Sequence, residues 1–215
     1  GLTEHDESIV GKGWKIVEKN QNKISAMVMD MLTFSKEREP ELVAADLNQV
    51  VVDVVELMQS RAQQRGVELN FAPVADIPPL TFDPEGLHRA VLNVVTNAID
   101  ACDKENTGRQ GSAGRVNVWT EFQASAGFAR VNVEDNGDGI APEDLEAIFS
   151  LFVSHKGSRG TGLGLPVSEK IMKEHGGRIV VESQLGKGSR FTLELPAVCP
   201  EAARQTATLP EIPAE

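Results

Sequence analysis

Cysteine is scarce in this chain: only Cys102 and Cys199 occur in 215 residues. Two isolated cysteines give no framework of paired spacings, which excludes a disulfide-stapled scaffold and suits a reducing compartment. No Cys/His spacing of the zinc-binding kind occurs either. No apolar run reaches the roughly 18 residues that a membrane span requires, and the N-terminus lacks the pattern of a signal peptide. Membrane contact by this segment is therefore not expected. Basic residues are also in deficit, with 21 Lys and Arg against 32 Asp and Glu and a formal charge of −11. That balance argues against bulk nucleic-acid binding, which needs clustered cations. The hydrophobic content, 40%, is enough for one substantial domain with an extension. No internal repeat is evident.

The most informative stretch is Val133-Glu134-Asp135-Asn136-Gly137-Asp138-Gly139-Ile140. Alternating apolar residues lead into it, as in a half-buried strand. Two glycines one residue apart then allow a sharp turn with a bare surface. An aspartate at the mouth of such a turn can accept a hydrogen bond from an amino group lying there. Alone the pattern is weak, because the same residues build ordinary turns. Three further pieces accompany it. Upstream, a predicted helix over 87–101 carries Asn93-Val94-Val95-Thr96-Asn97-Ala98, whose two asparagines share one face. Downstream, Gly160-Thr161-Gly162-Leu163-Gly164-Leu165 opens a helix running to about His175. A glycine-rich turn at a helix N-terminus offers free N–H groups to phosphate. Last, Gly186-Lys187-Gly188-Ser189 precedes a strand over 190–195.

Elsewhere, Ile16, Asn20, Ile24, Met27, Met31 and Phe34 form a mostly apolar stripe on a long helix predicted from Gly13 to about Arg38 and ended by Pro40. Such a helix cannot bury itself and needs a partner. Asp46 caps a helix from about Leu47 to Gln64, stopped by Gly66. Strands are predicted over 67–71, 115–122, 128–135, 177–183 and 189–195, and a short helix over 142–148. Pro84 suits the first turn of the asparagine-bearing helix. Residues 108–114 read as a turn-rich link, 154–160 as a basic lid, and those beyond Pro196 as a disordered tail.

The ordered set Asn-x-x-x-Asn-Ala, Asp-x-Gly-x-Gly, Gly-x-Gly-x-Gly and Gly-x-Gly, with Phe149-Ser150-Leu151-Phe152-Val153-Ser154-His155-Lys156 between the second and third, resembles the ATP-binding domain of sensor histidine kinases. These share a superfamily with type II topoisomerases, Hsp90 chaperones and MutL mismatch-repair proteins. The resemblance covers about Trp14 to Pro196. It implies an α+β fold: a two-layer sandwich, its mixed sheet covered on one face by helices and preceded by a long helix. It also implies three parts. Residues 1–40 are a remnant of the dimerisation hairpin, with Gly1 to Lys12 as its turn. Residues 41–197 are the ATP-binding catalytic domain, and 198–215 are tail. Implied partners are ATP with Mg²⁺, a response-regulator receiver domain, a second copy of the parent protein, and an acceptor helix whose histidine precedes Gly1. Implied localisation is cytoplasmic.

Carried over residue by residue, the resemblance has Asp135 accept from the adenine amino group. Gly137, Gly139 and Ile140 wall the base, and Thr192 completes its site. Asn97 ligates Mg²⁺ while Asn93 orders that site. Lys156, with Arg159 as a second candidate, reaches the phosphates. Gly160, Thr161, Gly162, Leu163 and Gly164 close over the triphosphate. Where related ATPases hydrolyse ATP, the position of Asn93 usually holds a glutamate that activates water; an amide cannot act as a base. This favours a kinase over an ATP-gated dimerising ATPase or a nucleotide-binding module without transfer. Asp100 departs from the lysine common there and could orient a metal-bound water, and Ser189 replaces a commoner threonine. Among His5, His88, His155 and His175, none sits in the acceptor motif. His88 is expected on a solvent face, and His175 near a helix C-terminus where positive charge is favourable.

Overall fold

The computed structural model describes residues 7–35, 40–103, 113–153 and 161–197. Among these residues the α-helices are α1 (Glu7–Ser35), α2 (Leu47–Gln64), α3 (Pro84–Ala101) and α4 (Gly164–Glu174). The strands are β1 (Val43–Ala45), β2 (Val67–Ala72), β3 (Leu80–Phe82), β4 (Gly114–Gln123), β5 (Phe128–Asp135), β6 (Arg178–Gln184) and β7 (Gly188–Pro196). β1 and β3 make a small antiparallel pair, and the other five form one sheet in the order β2-β4-β5-β7-β6. Only β2 and β4 run parallel. Parallel neighbours need a crossover, and α3 lies within the one that joins them.

Local chemistry explains the helix starts. Asp46 has extended backbone angles, and its carboxylate accepts from the amides of Asn48 (2.8 Å) and Gln49 (3.3 Å). Asp83 does the same for Glu85 and Gly86, both at 3.1 Å, with Pro84 following it. Each aspartate thus satisfies first-turn N–H groups that the helix leaves without partners.

Strand alternation then builds the two layers. On β5, Ala129, Val131 and Val133 are fully buried and face Val91, Val94 and Val95 of α3 across one apolar core. The residues between them face the open side of the sheet, which is charged. There Glu194 sits between Arg130 (2.7 Å) and Arg178 (2.8 Å). Arg190 bonds Glu134 through Nε at 2.7 Å and lies 5.3 Å from the centre of the Trp119 ring. Hydrogen bonding to Glu134 raises the pKa of the Arg190 guanidinium above its ordinary value. The fold is therefore α+β, with helices on one face of a mixed sheet.

Three local expectations change. The long helix begins at Glu7, so residues 7–12 are helical instead of belonging to a turn. Glycine costs about 1 kcal/mol in a helix interior but does not forbid one, and α1 runs through both Gly11 and Gly13. Residues 142–148 do not form a helix. They make two three-residue 3₁₀ turns, Pro142–Asp144 and Ala147–Phe149, neither with a side-chain cap. So short a segment cannot sustain an α-helix without one. β1 and β3 escape a periodicity reading because three residues are too few to display a period. Along α1, which touches α4, Ile16, Ile24 and Met31 of the expected stripe are at least half exposed. The expectations for residues 1–6, 108–112, 154–160 and 198–215 lie outside the described residues.

α4 is fastened to α3 at both ends. At its start, the Asn93 amide donates to Gly164 O (3.0 Å) and Ser168 Oγ (3.2 Å), and Ser168 Oγ lies 3.3 Å from Ala90 O. At its end, His175 Nε2 accepts from the Asp83 backbone N–H at 2.9 Å, and Nδ1 lies 2.7 Å from Ile171 O. A backbone N–H can only donate and a carbonyl only accept, so the tautomer with its proton on Nδ1 fits both contacts. His175 stands at the C-cap of α4, near the helix C-terminus as expected, and hydrogen bonds engage both of its ring nitrogens. Replacing His175 with leucine should cost about 1–3 kcal/mol by taking an acceptor from a part-buried N–H. Glutamine, which can place an oxygen near Nε2, should cost less; urea unfolding of the two variants checks the order.

Candidate functional site

Strand register places three polar side chains in one row on the helix-facing side of the sheet. Asp135 pairs with Ser189, and Ser189 pairs with Ser183. The row ends an otherwise apolar face. Asp135 and Ser189 are each only 5% exposed, so the carboxylate is largely withdrawn from water. Its Oδ1 accepts from Gly137 N–H at 2.8 Å. Ser183 Oγ accepts from Ile140 N–H at 2.8 Å and lies 2.9 Å from Ser189 Oγ.

The turn after Asp135 needs its glycines. A Cβ on Gly137 would stand 2.5 Å from Ala101 O, against the end of α3. On Gly139, at φ 69°, it would stand 2.1 Å from Gln184 O. The bare turn thus threads between the C-terminus of α3 and the β6–β7 turn, where Gly186 N–H donates to Asp138 O at 2.6 Å. Asn136 secures it from behind. Its Oδ1 accepts from Arg115 N–H at 2.7 Å, its Nδ2 donates to Ala113 O at 3.1 Å, and the buried Cys102 thiol lies 3.4 Å from Oδ1.

On the helical layer, Asn93 and the half-buried Asn97 lie one turn apart on α3. Asn93 is engaged with the start of α4, as described. α4 begins at Gly164 without a side-chain cap; Leu163, at its N-cap position, is 1% exposed and contributes its side chain to the interior. Thr161 Oγ1 accepts from Leu163 N–H at 3.4 Å, and Gly162 O accepts from Phe152 N–H at 2.9 Å. The asparagines and the Gly162–Gly164 turn therefore meet through Asn93. Lys156, Arg159 and Gly160 lie outside the described residues.

Two residues singled out from the sequence stand elsewhere. Thr192 pairs with Asn132, three residues from Asp135 and so on the opposite face of the sheet, where its hydroxyl donates to Asn132 Oδ1 at 2.7 Å. Ser189 is the residue beside Asp135. Asp100 is held by Arg61 of α2 (3.1 Å) and by Arg65 just beyond its end (3.0 Å), so it braces two helices. His88 is half-buried on α3. Ser183 and Ser168 were not singled out: each is an ordinary serine in sequence, and only the strand register and the α3–α4 packing give it partners. Among the described residues no cluster of three or more His, Cys, Asp or Glu could hold a metal ion. A groove lined by Arg115, Asn117, Glu134, Glu182 and Arg190 of the open face continues around the end of the sheet to Asp135, Ser183 and Ser189. Its lining omits α3 and α4.

Comparison with known proteins agrees with this arrangement. Residues 82–198 match the family model described as histidine kinase-, DNA gyrase B- and HSP90-like ATPase. The chain is 36% identical over 182 residues to the sensor histidine kinase ZraS of Escherichia coli (strain K12), covering 85% of this chain and 37% of that protein. It is 27% identical to sporulation kinase E of Bacillus subtilis (strain 168), covering 85% of this chain and 23% of that one. The chain thus spans well under half the length of these relatives. Among solved structures it is similar to full-length ShkA in complex with AMPPNP, with a TM-score of 0.73, 28% identity and coverage of 86% of this chain and 38% of the other. It is also similar to the histidine kinase ThkA crystallised with the response regulator TrrA, with a TM-score of 0.70, 27% identity and coverage of 91% and 53%. The matched family model spans more than half of the chain, including Asn93, Asp135, Gly164 and Ser189, so the chain belongs to the histidine kinase-, DNA gyrase B- and HSP90-like ATPase family and carries the ATP-binding catalytic domain of a sensor histidine kinase.

Proposed function

We propose that this chain binds Mg-ATP between the Asp135–Ser189 end of the sheet and the α3–α4 layer, and presents the γ-phosphoryl group to a histidine on the helix that pairs with α1. The observation that carries the reading is the buried Asp135 carboxylate, an acceptor-only group at the inner end of an apolar strand, beside a turn kept bare by glycine. An adenine amino group is a donor of matching chemistry. Ile140 walls the base with the Gly137–Gly139 backbone, and Ser189 takes the place that the sequence reading gave to Thr192.

The phosphates belong at the uncapped start of α4, where backbone amides and the helix dipole favour anions. Asn97 fits magnesium through its side-chain oxygen, since this ion takes oxygen ligands and keeps several waters. Asn97 would hold the metal, which would supply positive charge to offset that of the phosphates. Lys156 adds a cation from the 154–160 segment. In the transfer, the bond between the γ-phosphorus and the β–γ bridging oxygen breaks, ADP departs, and a P–N bond forms to the imidazole. The displaced ring proton passes to solvent or a nearby base. Onward transfer goes to an aspartate of a response-regulator receiver domain.

Asn93 supports transfer over hydrolysis. It cannot activate water, and its Nδ2 is spent on fastening α4. The exposed apolar stripe of α1 supports pairing with a second copy, as in a dimerisation hairpin. No helix among the described residues is long and apolar enough to cross a membrane, and we place this segment in the cytoplasm of the parent protein.

Calorimetric titration tests nucleotide recognition. Asp135→Asn should weaken ATP binding about tenfold or more, by removing a charge-assisted hydrogen bond, while GTP binding changes little. ATP affinity equal to wild type in a folded variant would refute the adenine assignment. Transfer is tested by supplying a separately produced acceptor hairpin and labelled ATP. The chain should label the hairpin, and Asn97→Ala should lose both that labelling and the magnesium dependence of ATP binding. Rapid hydrolysis with an unlabelled hairpin would favour an ATPase instead.

A further inference from the structure

The asparagine-bearing side of α3 also carries a negative charge. At about 3.6 residues per turn, Asn93, Asn97 and Asp100 fall within about 60° of one another around the helix. Asp100 follows Asn97 by three residues, and Cβ atoms so spaced stand about 5–6 Å apart. The Asp100 side chain is only 17% exposed, so water and salt screen it less than a surface carboxylate. A polyphosphate settling at Asn97 meets Asp100 as a like charge one turn away.

The end of α2 supplies the opposite charge. It runs beside the end of α3 over successive turns: Thr96 Oγ1 lies 3.9 Å from Met58 Sδ, and Arg61 and Arg65 follow further along. Arg61 Nη2 (3.1 Å) and Arg65 Nη1 (3.0 Å) converge on the same oxygen, Asp100 Oδ1. Arg65 Nη1 also reaches Asp103 Oδ2 at 2.7 Å. Two guanidinium groups thus balance two carboxylates, but their shares differ. Arg65 is divided between both acids, whereas Arg61 is turned to Asp100. Loss of Arg61 leaves one negative charge in excess on the side of Asn97. An ion pair whose arginine is 43% exposed adds little to stability, so its larger effect falls on an anionic ligand.

We infer that Arg61 is a positioning residue for the triphosphate: it offsets the charge of Asp100, so that the phosphates can settle at Asn97. It acts through Asp100, without touching the nucleotide. The inference rests on the nucleotide site proposed above.

The experiment measures calorimetric affinities for Mg-ATP, Mg-ADP and adenosine in Arg61→Ala, Arg61→Lys, Asp100→Asn and the pair Arg61→Ala, Asp100→Asn. Arg61→Ala should weaken Mg-ATP about fivefold, Mg-ADP less and adenosine by less than about twofold, because a charge repels each ligand in proportion to the charge it carries. Added salt should shrink the Mg-ATP loss. Arg61→Lys keeps the charge and should stay within about twofold of wild type. With Asp100 already neutral, removing Arg61 should change Mg-ATP affinity by less than about twofold, since the two residues act as one unit. Should Arg61→Ala fail to show a cooperative melt, Arg61→Gln, which keeps a donor without the charge, carries the same expectation. Unchanged Mg-ATP affinity in a folded Arg61→Ala or Arg61→Gln protein overturns the inference. So does an equal loss for Mg-ATP and adenosine, which marks a packing role alone, and so does a loss that persists beside Asp100→Asn. Asn97→Ala separates the two levels. If it weakens Mg-ATP while Arg61→Ala does not, only the role of Arg61 falls; if it leaves Mg-ATP binding intact, the phosphate site itself is wrong.

Discussion

Placing a carboxylate at the inner end of β5 removes it from water, at a cost that only hydrogen-bond donors can offset. Asp135 follows three small apolar residues on the same face, and the strand delivers it to the edge of the core. Part of the compensation is local. The Gly137 amide turns back on it, a hydrogen bond to a charged group worth about 1.5–3 kcal/mol. That bond requires the chain to bend at once, and the bend requires glycine because α3 and the β6–β7 turn crowd the same space. The glycine pattern, the end of α3 and the serines of β6 and β7 are thus consequences of one buried charge. On the proposed reading, the amino group of adenine adds a further donor.

The second layer is organised by side chains that tie α4 to α3. Asn93 and Ser168 hold its beginning and His175 its end, so the glycine turn that opens α4 is not left to packing alone. Polar residues inside a helix pair carry a penalty unless they are paired; here each has a partner on the opposing helix. The result is a fixed distance between the helix bearing the asparagines and the helix at whose start the phosphates are proposed to lie. Phosphoryl transfer depends on such positioning more than on acid–base chemistry, and an amide at position 93 suits that division of labour.

Much of this was legible in the sequence because it is written in short-range chemistry. Asp46, Asp83 with Pro84, and the alternation of β5 each act within a few residues, and the ordered glycine and asparagine motifs carried the family. What escaped depends on register or on contacts between distant segments. Thr192 and Ser189 are three residues apart on one strand, and only the pairing with β5 shows which faces Asp135. Nothing local to His175 announces that the backbone N–H of Asp83, ninety-two residues earlier, donates to its ring. Asp100 lies on the side of α3 that carries the asparagines but is claimed by Arg61 of α2 and Arg65 just beyond it. The resemblance placed Gly1 to Lys12 in a turn, yet the helix already runs from Glu7 through Gly11 and Gly13, since glycine only weakens a helix.

A crystal structure of the chain with a non-hydrolysable ATP analogue and magnesium tests the central claim most directly. The account predicts the exocyclic amine of adenine within about 2.7–3.2 Å of an Asp135 carboxylate oxygen, with the triphosphate running toward Asn97 and the start of α4. A nucleotide seated instead in the open-face groove, against Arg115, Glu134 and Arg190, or a base turned away from Asp135, would contradict it.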